Sequence, residues 1–191
     1  MSAGLGAARP VTLMLSGVLF LILGLHGRQH LRAGTPDHLL WVCYVANAVM
    51  GVGLLLHHRL ALGAGFLWVC IGLVLWLGNA VGQFRYLTAS EPDVVTSSAM
   101  HVGGSACGLL GVIRLGLDAH AWIPAVALLL ACQLAARLFT DSALNVNAVF
   151  QIRPAGLRLF PSMWSYWLAC TVISVFALLL LNRGLGCLFA G

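Results

Sequence analysis

Apolar positions in this chain gather into blocks rather than periodic stripes, covering about 11–25, 39–56, 60–81, 95–115, 122–139 and 164–181. A helix needs about 20 mostly apolar residues to cross a bilayer, because no water is available there for exposed backbone groups. The interruptions are polar or turn-forming: HGRQHLRAGTPD, HHR, GQFRYLTASEPD, GLDAH and the longer DSALNVNAVFQIRPAGLRLFP. Short hinges favour antiparallel neighbours. The pattern predicts an all-α polytopic integral membrane helix bundle of about six transmembrane helices in up-and-down topology, with 1–191 as a single transmembrane domain. Neither an internal repeat nor a soluble domain is visible in it.

Composition agrees. Of 191 residues, 61% are hydrophobic and 8% charged, and the mean hydropathy is +0.98, outside the range of soluble domains. A multi-pass protein of a bacterial inner membrane is expected, with the lipid bilayer as its first partner. The ten basic residues are all arginine, set against five acids, and the net charge of +5 is spread thinly over short loops. No basic block or motif points to nucleic acid. Cys43, Cys70, Cys107, Cys132, Cys170 and Cys187 stand singly without a C-x-x-C pair, so they read as small packing residues. The opening MSAGLGAARPVTLMLSGVLFLILGLHGRQH imitates a signal peptide, but His and Arg follow its apolar core instead of a small-residue cleavage site. A retained first helix is the expectation.

An even number of spans puts both termini on one face, with His57, His58, Arg59, Arg114, Asp118, His120 and Arg183. The other face receives Arg28, Arg32, Asp37, Arg85, Glu91, Asp93, Arg137, Asp141, Arg153 and Arg158. Arginines divide six to four between the faces, too even a split for the positive-inside rule to fix orientation. The connection over about 141–161 mixes Phe150, Ile152, Leu157, Leu159 and Phe160 with Arg153, Arg158 and prolines, as an interfacial segment would. It leads into MWSYW, where Trp164, Tyr166 and Trp167 suit an interfacial aromatic belt.

Topology also gathers chemistry. His26 and His30 end the first helix, His38 opens the second and His101 opens the fourth, all at the same face. His26 and His30, four residues apart, share one face if the helix continues that far, a spacing that presents two imidazoles to one metal ion. Asp37, Glu91, Asp93 and Asp141 are available there as oxygen ligands or as groups that orient an imidazole. His26, His30, His38 and His101 are therefore the candidate metal ligands, for a divalent ion such as zinc or copper. Haem or a chlorin pigment ranks below metal, because it would need histidines nearer the middle of a span.

Inside the blocks, Asn47, Asn79, Ser105 and Gln133 are expected to hydrogen-bond across helices. Behind His101 the fourth block carries Gly103, Gly104, Cys107, Gly108 and Gly111, with Gly104 and Gly108 in G-x-x-x-G spacing. Such spacing lets a second backbone approach closely, which predicts a central fourth helix packed on the third, where Gly65, Gly72, Gly78 and Gly82 lie.

Two resemblances follow from these stretches. HVGGSACGLLG resembles the histidine-bearing helix of rhomboid proteases, and HLLWVCYVANAVMGVG is similar to their H-x-x-x-N helix. The G-x-S-G turn is lacking, and the single G-x-S, Gly103-Gly104-Ser105, lies beside the histidine itself, which counts against a protease. From residue 36 to about 185 the chain resembles YwaF-like bacterial integral membrane proteins, whose eukaryotic relatives include a phospholipid acyltransferase. The likeness rests on Pro36-Asp37-His38-Leu39, His101-Val102-Gly103, Asn147-Ala148-Val149-Phe150, Pro154 and the Trp164 to Trp167 segment. It departs in the placing of Cys43, in a missing tyrosine after the asparagine and in one fewer helix at the front. The resemblance implies acyl transfer on a lipid, with Cys43 as nucleophile and His38 or His101 as base.

Three functional readings result. The leading one is a non-catalytic subunit or packing and lipid-binding component of a larger membrane complex, with other transmembrane subunits as partners. The second is an intramembrane lipid acyltransferase-like enzyme using His101 or His38 and Cys43. The third is a metal-binding membrane protein using the one-sided histidines.

Overall fold

The computed structural model describes the backbone of residues 2–83, 92–152 and 159–189, and side chains within 9–78, 95–152 and 159–189. Helices account for nearly all of it, and no strand occurs among the described residues. Helix α1 (Ser2–Arg32) is followed by a 3-10 turn, η1 (Pro36–Leu40), then α2 (Val42–Leu55) and α3 (Arg59–Gln83). The fourth rod is α4 (Pro92–Ser98), a π-turn (Ala99–Gly103) and α5 (Gly104–Leu115) in continuous succession. Helix α6 (Trp122–Phe139), a second 3-10 turn, η2 (Val146–Ala148), and α7 (Met163–Phe189) complete the chain.

Four helical stretches are long and apolar enough to cross a bilayer: Arg9–Arg32, Arg59–Gly78, Trp122–Phe139 and Met163–Phe189. Two of the six expected spans take other forms. The second is shortened to 14 residues, because Pro36 opens a separate 3-10 turn and Trp41 is extended, with φ −60° and ψ 134°. The fourth is an α-helix broken by the π-turn.

Contacts at the two ends show the rods alternating in direction. At one end, Thr12 Oγ1 lies 2.8 Å from His57 Nε2, Arg59 Nη2 donates to the Leu117 carbonyl and Asn182 Nδ2 donates to the Ala119 carbonyl. At the other, Asp37 Oδ2 accepts from the Asp141 backbone N–H, and Asn147 clamps the start of α2. Its Oδ1 accepts from Val42 N–H at 2.9 Å while its Nδ2 donates to the Leu40 and Cys132 carbonyls. Asn147 sits at φ 54°, a left-handed conformation that asparagine tolerates better than most residues. The described part of the 141–161 connection is anchored through fully buried Val146 and Val149 against Ala136, and Arg137 reaches back over the Trp164 ring at 4.4 Å. Arg153, Leu157 and Arg158 lie outside the described residues.

The centre of the bundle is α3, not the glycine-bearing fourth rod. Helix α3 packs on α2, α5, α6 and α7, and its Leu62, Phe66, Leu67 and Trp68 join Leu19, Met50, Leu54, Val112, Leu129 and Leu178 in one core. Leu109, Leu110 and Ile113 of α5 face outward, so that helix contributes one face only. That face is the glycine face, as its spacing predicts: Gly104 lies against Asn47, Gly108 against Phe66 and Met50, and Gly111 against Leu54 and Leu62. The partner surface is thus shared between α2 and α3. Of the glycines expected to answer on α3, Gly65 packs on the α2 backbone, Gly72 on Cys43 and His101, and Gly78 on nothing within 4 Å.

Polar side chains in the apolar blocks bond differently from expectation. Asn47 Nδ2 donates to the Cys43 carbonyl and Ser105 Oγ to the His101 carbonyl, both one turn back on their own rods. The Oδ1 of Asn47 and Oε1 of Gln133 are buried without a hydrogen-bond partner, and the Asn79 side chain lies outside the described residues. Cross-helix bonds come instead from Trp68 Nε1 to the Ala125 carbonyl, Ser16 Oγ to Gly51 and Tyr44 Oη to Leu23.

Candidate functional site

Helix α1 remains helical through Gly27 and ends only after Arg32, where Gly34 turns the chain at φ 69°. That continuity puts His26 and His30 on one face, one turn apart. Both are buried, each 6% exposed, and their Nε2 atoms lie 3.2 Å apart with the rings edge to face. The Nδ1 atoms point away from each other, each to a threonine. His26 Nδ1 is 3.0 Å from Thr96 Oγ1 on α4, and Thr96 Oγ1 donates to Gln29 Oε1 at 2.8 Å. His30 Nδ1 is 3.0 Å from Thr35 Oγ1, which donates to the His30 carbonyl at 3.4 Å.

His38, carried by η1, lays its ring beside that of His30 with centroids 4.6 Å apart. Tyr44 borders His26 at 6.0 Å between centroids, and its hydroxyl fills the space in front of Gly27. The structure therefore brings together three of the four candidate ligands. Among the described residues, no group of three or more His, Cys, Asp or Glu side chains is arranged around a common point for a metal ion.

His101 has a different setting. It sits in the π-turn, its Nδ1 donates to the Ser97 carbonyl at 2.9 Å, and its ring stacks on Trp76 at 5.9 Å and 14°. No described hydrogen bond or ring contact joins it to His26, His30 or His38. A π-turn accommodates one extra residue and re-aims the side chains around it, which directs His101 toward α3. There, a Cβ on Gly72 would stand 2.7 Å from Cys43 Sγ and 3.7 Å from His101 Nε2, so the thiol and the imidazole both pack closely on this glycine. A carbonyl can only accept, so Nδ1 of His101 carries a proton, and in the neutral ring Nε2 presents its lone pair.

The carboxylates expected to orient the imidazoles do not fill that role where they are described. Asp37 and Asp141 are occupied with the backbone of the 141 loop, and the side chains of Glu91 and Asp93 lie outside the described residues. Thr35, Thr96 and Gln29 take it instead. Thr35 and Thr96 fall at the same end of the bundle by the predicted topology, and Gln29 stands between the two histidines on their own helix, signals available in the sequence. No family model, curated protein or solved structure matches this chain.

Proposed function

We propose that this chain is a multi-pass protein of a bacterial inner membrane that serves as a non-catalytic, lipid-embedded component of a larger membrane complex. The observation that carries this reading is the outer face of α1. Gly17 and Gly24, two turns apart on one face, have nothing within 4 Å of where a Cβ would stand, whereas the glycines of α5 are filled from within the chain. Small residues on an outward face allow a partner backbone to approach closely, the main source of helix association in lipid. Helix α7 is bound to the rest by few residues. Only Tyr166, Thr171, Leu178 and Asn182 of it are buried, leaving Leu168, Ile173, Phe176 and Leu180 for lipid or a neighbouring helix.

The test is purification from native membranes in mild detergent. A transmembrane partner should co-purify with the wild type and be lost from Gly17→Leu and Gly24→Leu proteins of unchanged helical content. A protein that emerges alone, or variants that retain the partner, would overturn the reading.

A second reading, a lipid acyltransferase-like enzyme, is favoured by the packing of both Cys43 and His101 on Gly72. His38 stacks beside His30 instead, which leaves His101 as the base. Lipid analysis of cells carrying Cys43→Ala or His101→Ala is the test, and unchanged lipids would sink this second reading.

A further inference from the structure

We infer that Arg137 and Trp164 form a binding site for the phosphate of one anionic phospholipid headgroup, where α6 ends and α7 begins. The inference rests on the multi-pass membrane reading and is independent of the larger complex. It begins with a frame. Fully buried Ala136, Val146 and Val149 make a small core of their own at this end of the bundle, with Trp167 packed against it. At its outer edge the Val149 carbonyl accepts from Arg137 Nη2 at 2.9 Å. The guanidinium carbon lies 4.4 Å from the centre of the Trp164 ring, and Trp167 meets Trp164 edge to face at 6.2 Å. Three segments of the chain thus hold one cation in place.

A guanidinium is a fork of N–H donors with no acceptor, and the Val149 carbonyl occupies one of its branches. Among the described residues no carboxylate pairs with Arg137, and no acceptor meets the Trp164 indole N–H. Asp37 and Asp141, the described acids at this end, accept from backbone N–H groups instead. Around the cation, Leu134, Leu138, Phe139 and Leu159 are exposed, as side chains that lie in lipid would be. A charge at such a boundary is costly unless it finds a counter-charge, and the anions at that level are headgroup phosphates. The planar fork suits phosphate oxygens, and a guanidinium already fixed by a hydrogen bond and a ring loses less freedom on binding. The net charge of +5 favours a lipid whose headgroup adds no cation of its own.

The experiment uses the full chain in an uncharged mild detergent, titrated separately with short-chain phosphatidylglycerol, short-chain phosphatidylcholine and inorganic phosphate while thermal unfolding is followed. Phosphatidylglycerol should raise the unfolding temperature at lower concentration than phosphatidylcholine, and inorganic phosphate should do least. Arg137→Gln should weaken the phosphatidylglycerol response about tenfold, as loss of a charge-assisted hydrogen bond does. Trp164→Leu should weaken it about threefold, and Arg183→Gln, at the opposite end of the bundle, should leave it unchanged. Photolabelling of the wild type by a phosphatidylglycerol with a diazirine in its headgroup stands even if the variants fail to fold, and its labels should fall within 134–140 and 159–167. Labels elsewhere, a folded Arg137→Gln protein that responds as wild type does, or an equal response to phosphatidylcholine would overturn the inference. An equal response to inorganic phosphate would make a soluble phosphate the ligand and overturn the lipid assignment. Purification of the chain alone with these responses intact would tell against the larger complex and leave this site standing.

Discussion

The His26–His30 pair and His101 are held by the same atom and set to different tasks. In each, Nδ1 is committed and Nε2 is left facing something, but the committing partner differs: threonine hydroxyls for the pair, the Ser97 carbonyl for His101. A hydroxyl both donates and accepts, so it can follow a change in the imidazole's protonation by rotating. A carbonyl can only accept, so the Nδ1 proton of His101 is held in place. The pair can exchange which ring donates across the 3.2 Å between its Nε2 atoms, while His101 keeps its Nδ1 proton on the Ser97 carbonyl. The backbone follows suit: the pair rides on unbroken helix, whereas His101 depends on a π-turn.

The comparison can be broken most forcefully at Gly72. Valine there would drive its Cβ to within 2.7 Å of Cys43 Sγ, and the overpacking should cost about 1–3 kcal/mol. Thermal unfolding in detergent measures this, and an unchanged midpoint would show that the packing beside His101 yields freely. Thr96→Val comes next. One hydroxyl serves both His26 and Gln29, so its loss should cost about 1–2 kcal/mol. His101→Phe keeps a ring on Trp76 and gives up only the bond to Ser97, for about 0.5–1.5 kcal/mol. If it proves as damaging as Thr96→Val, the contrast between adaptable and fixed partners fails. The smallest effect is expected for Gly24→Ala, which meets nothing within 4 Å and should stay within about 0.5 kcal/mol of wild type, isolating outward from inward glycines.

Much of the bundle can be read in the sequence, because block length and turn chemistry are local. The apolar runs at 60–81 and 122–139 match α3 and α6 closely, and the run at 164–181 marks the start of α7, which continues to Phe189. His26 and His30 are legible as a pair from their spacing, and His38 joins them because the loop between is short. The hydroxyls that orient them are harder to find. Thr96 reaches His26 across 70 residues of chain, and nothing in the local pattern around Thr96 distinguishes it from Thr140 or Thr171. The separation of His101 from the other histidines was illegible for a different reason. A π-turn arises from how neighbouring helices compete for side-chain space, and SSAMHVGG contains no proline or other local mark for it. The hub position of α3 was likewise hidden, since the glycines of α5 announce close approach without saying how many neighbours share it.

The π-turn also fixes an angular phase. It holds one residue more than an α-helix uses for a comparable climb, so α4 and α5 are wound out of step with a continuous helix. Deleting a single residue between Ala99 and Gly103 would leave ordinary α-helix with both halves in their present phase, Thr96 toward His26 and Gly104, Gly108 and Gly111 in their seats. Winding all five residues as α-helix with none removed would instead turn the halves by about 100° against each other and carry Thr96 away from His26. In this rod the surplus residue is what lets a chain one position too long for a regular helix keep both ends in register.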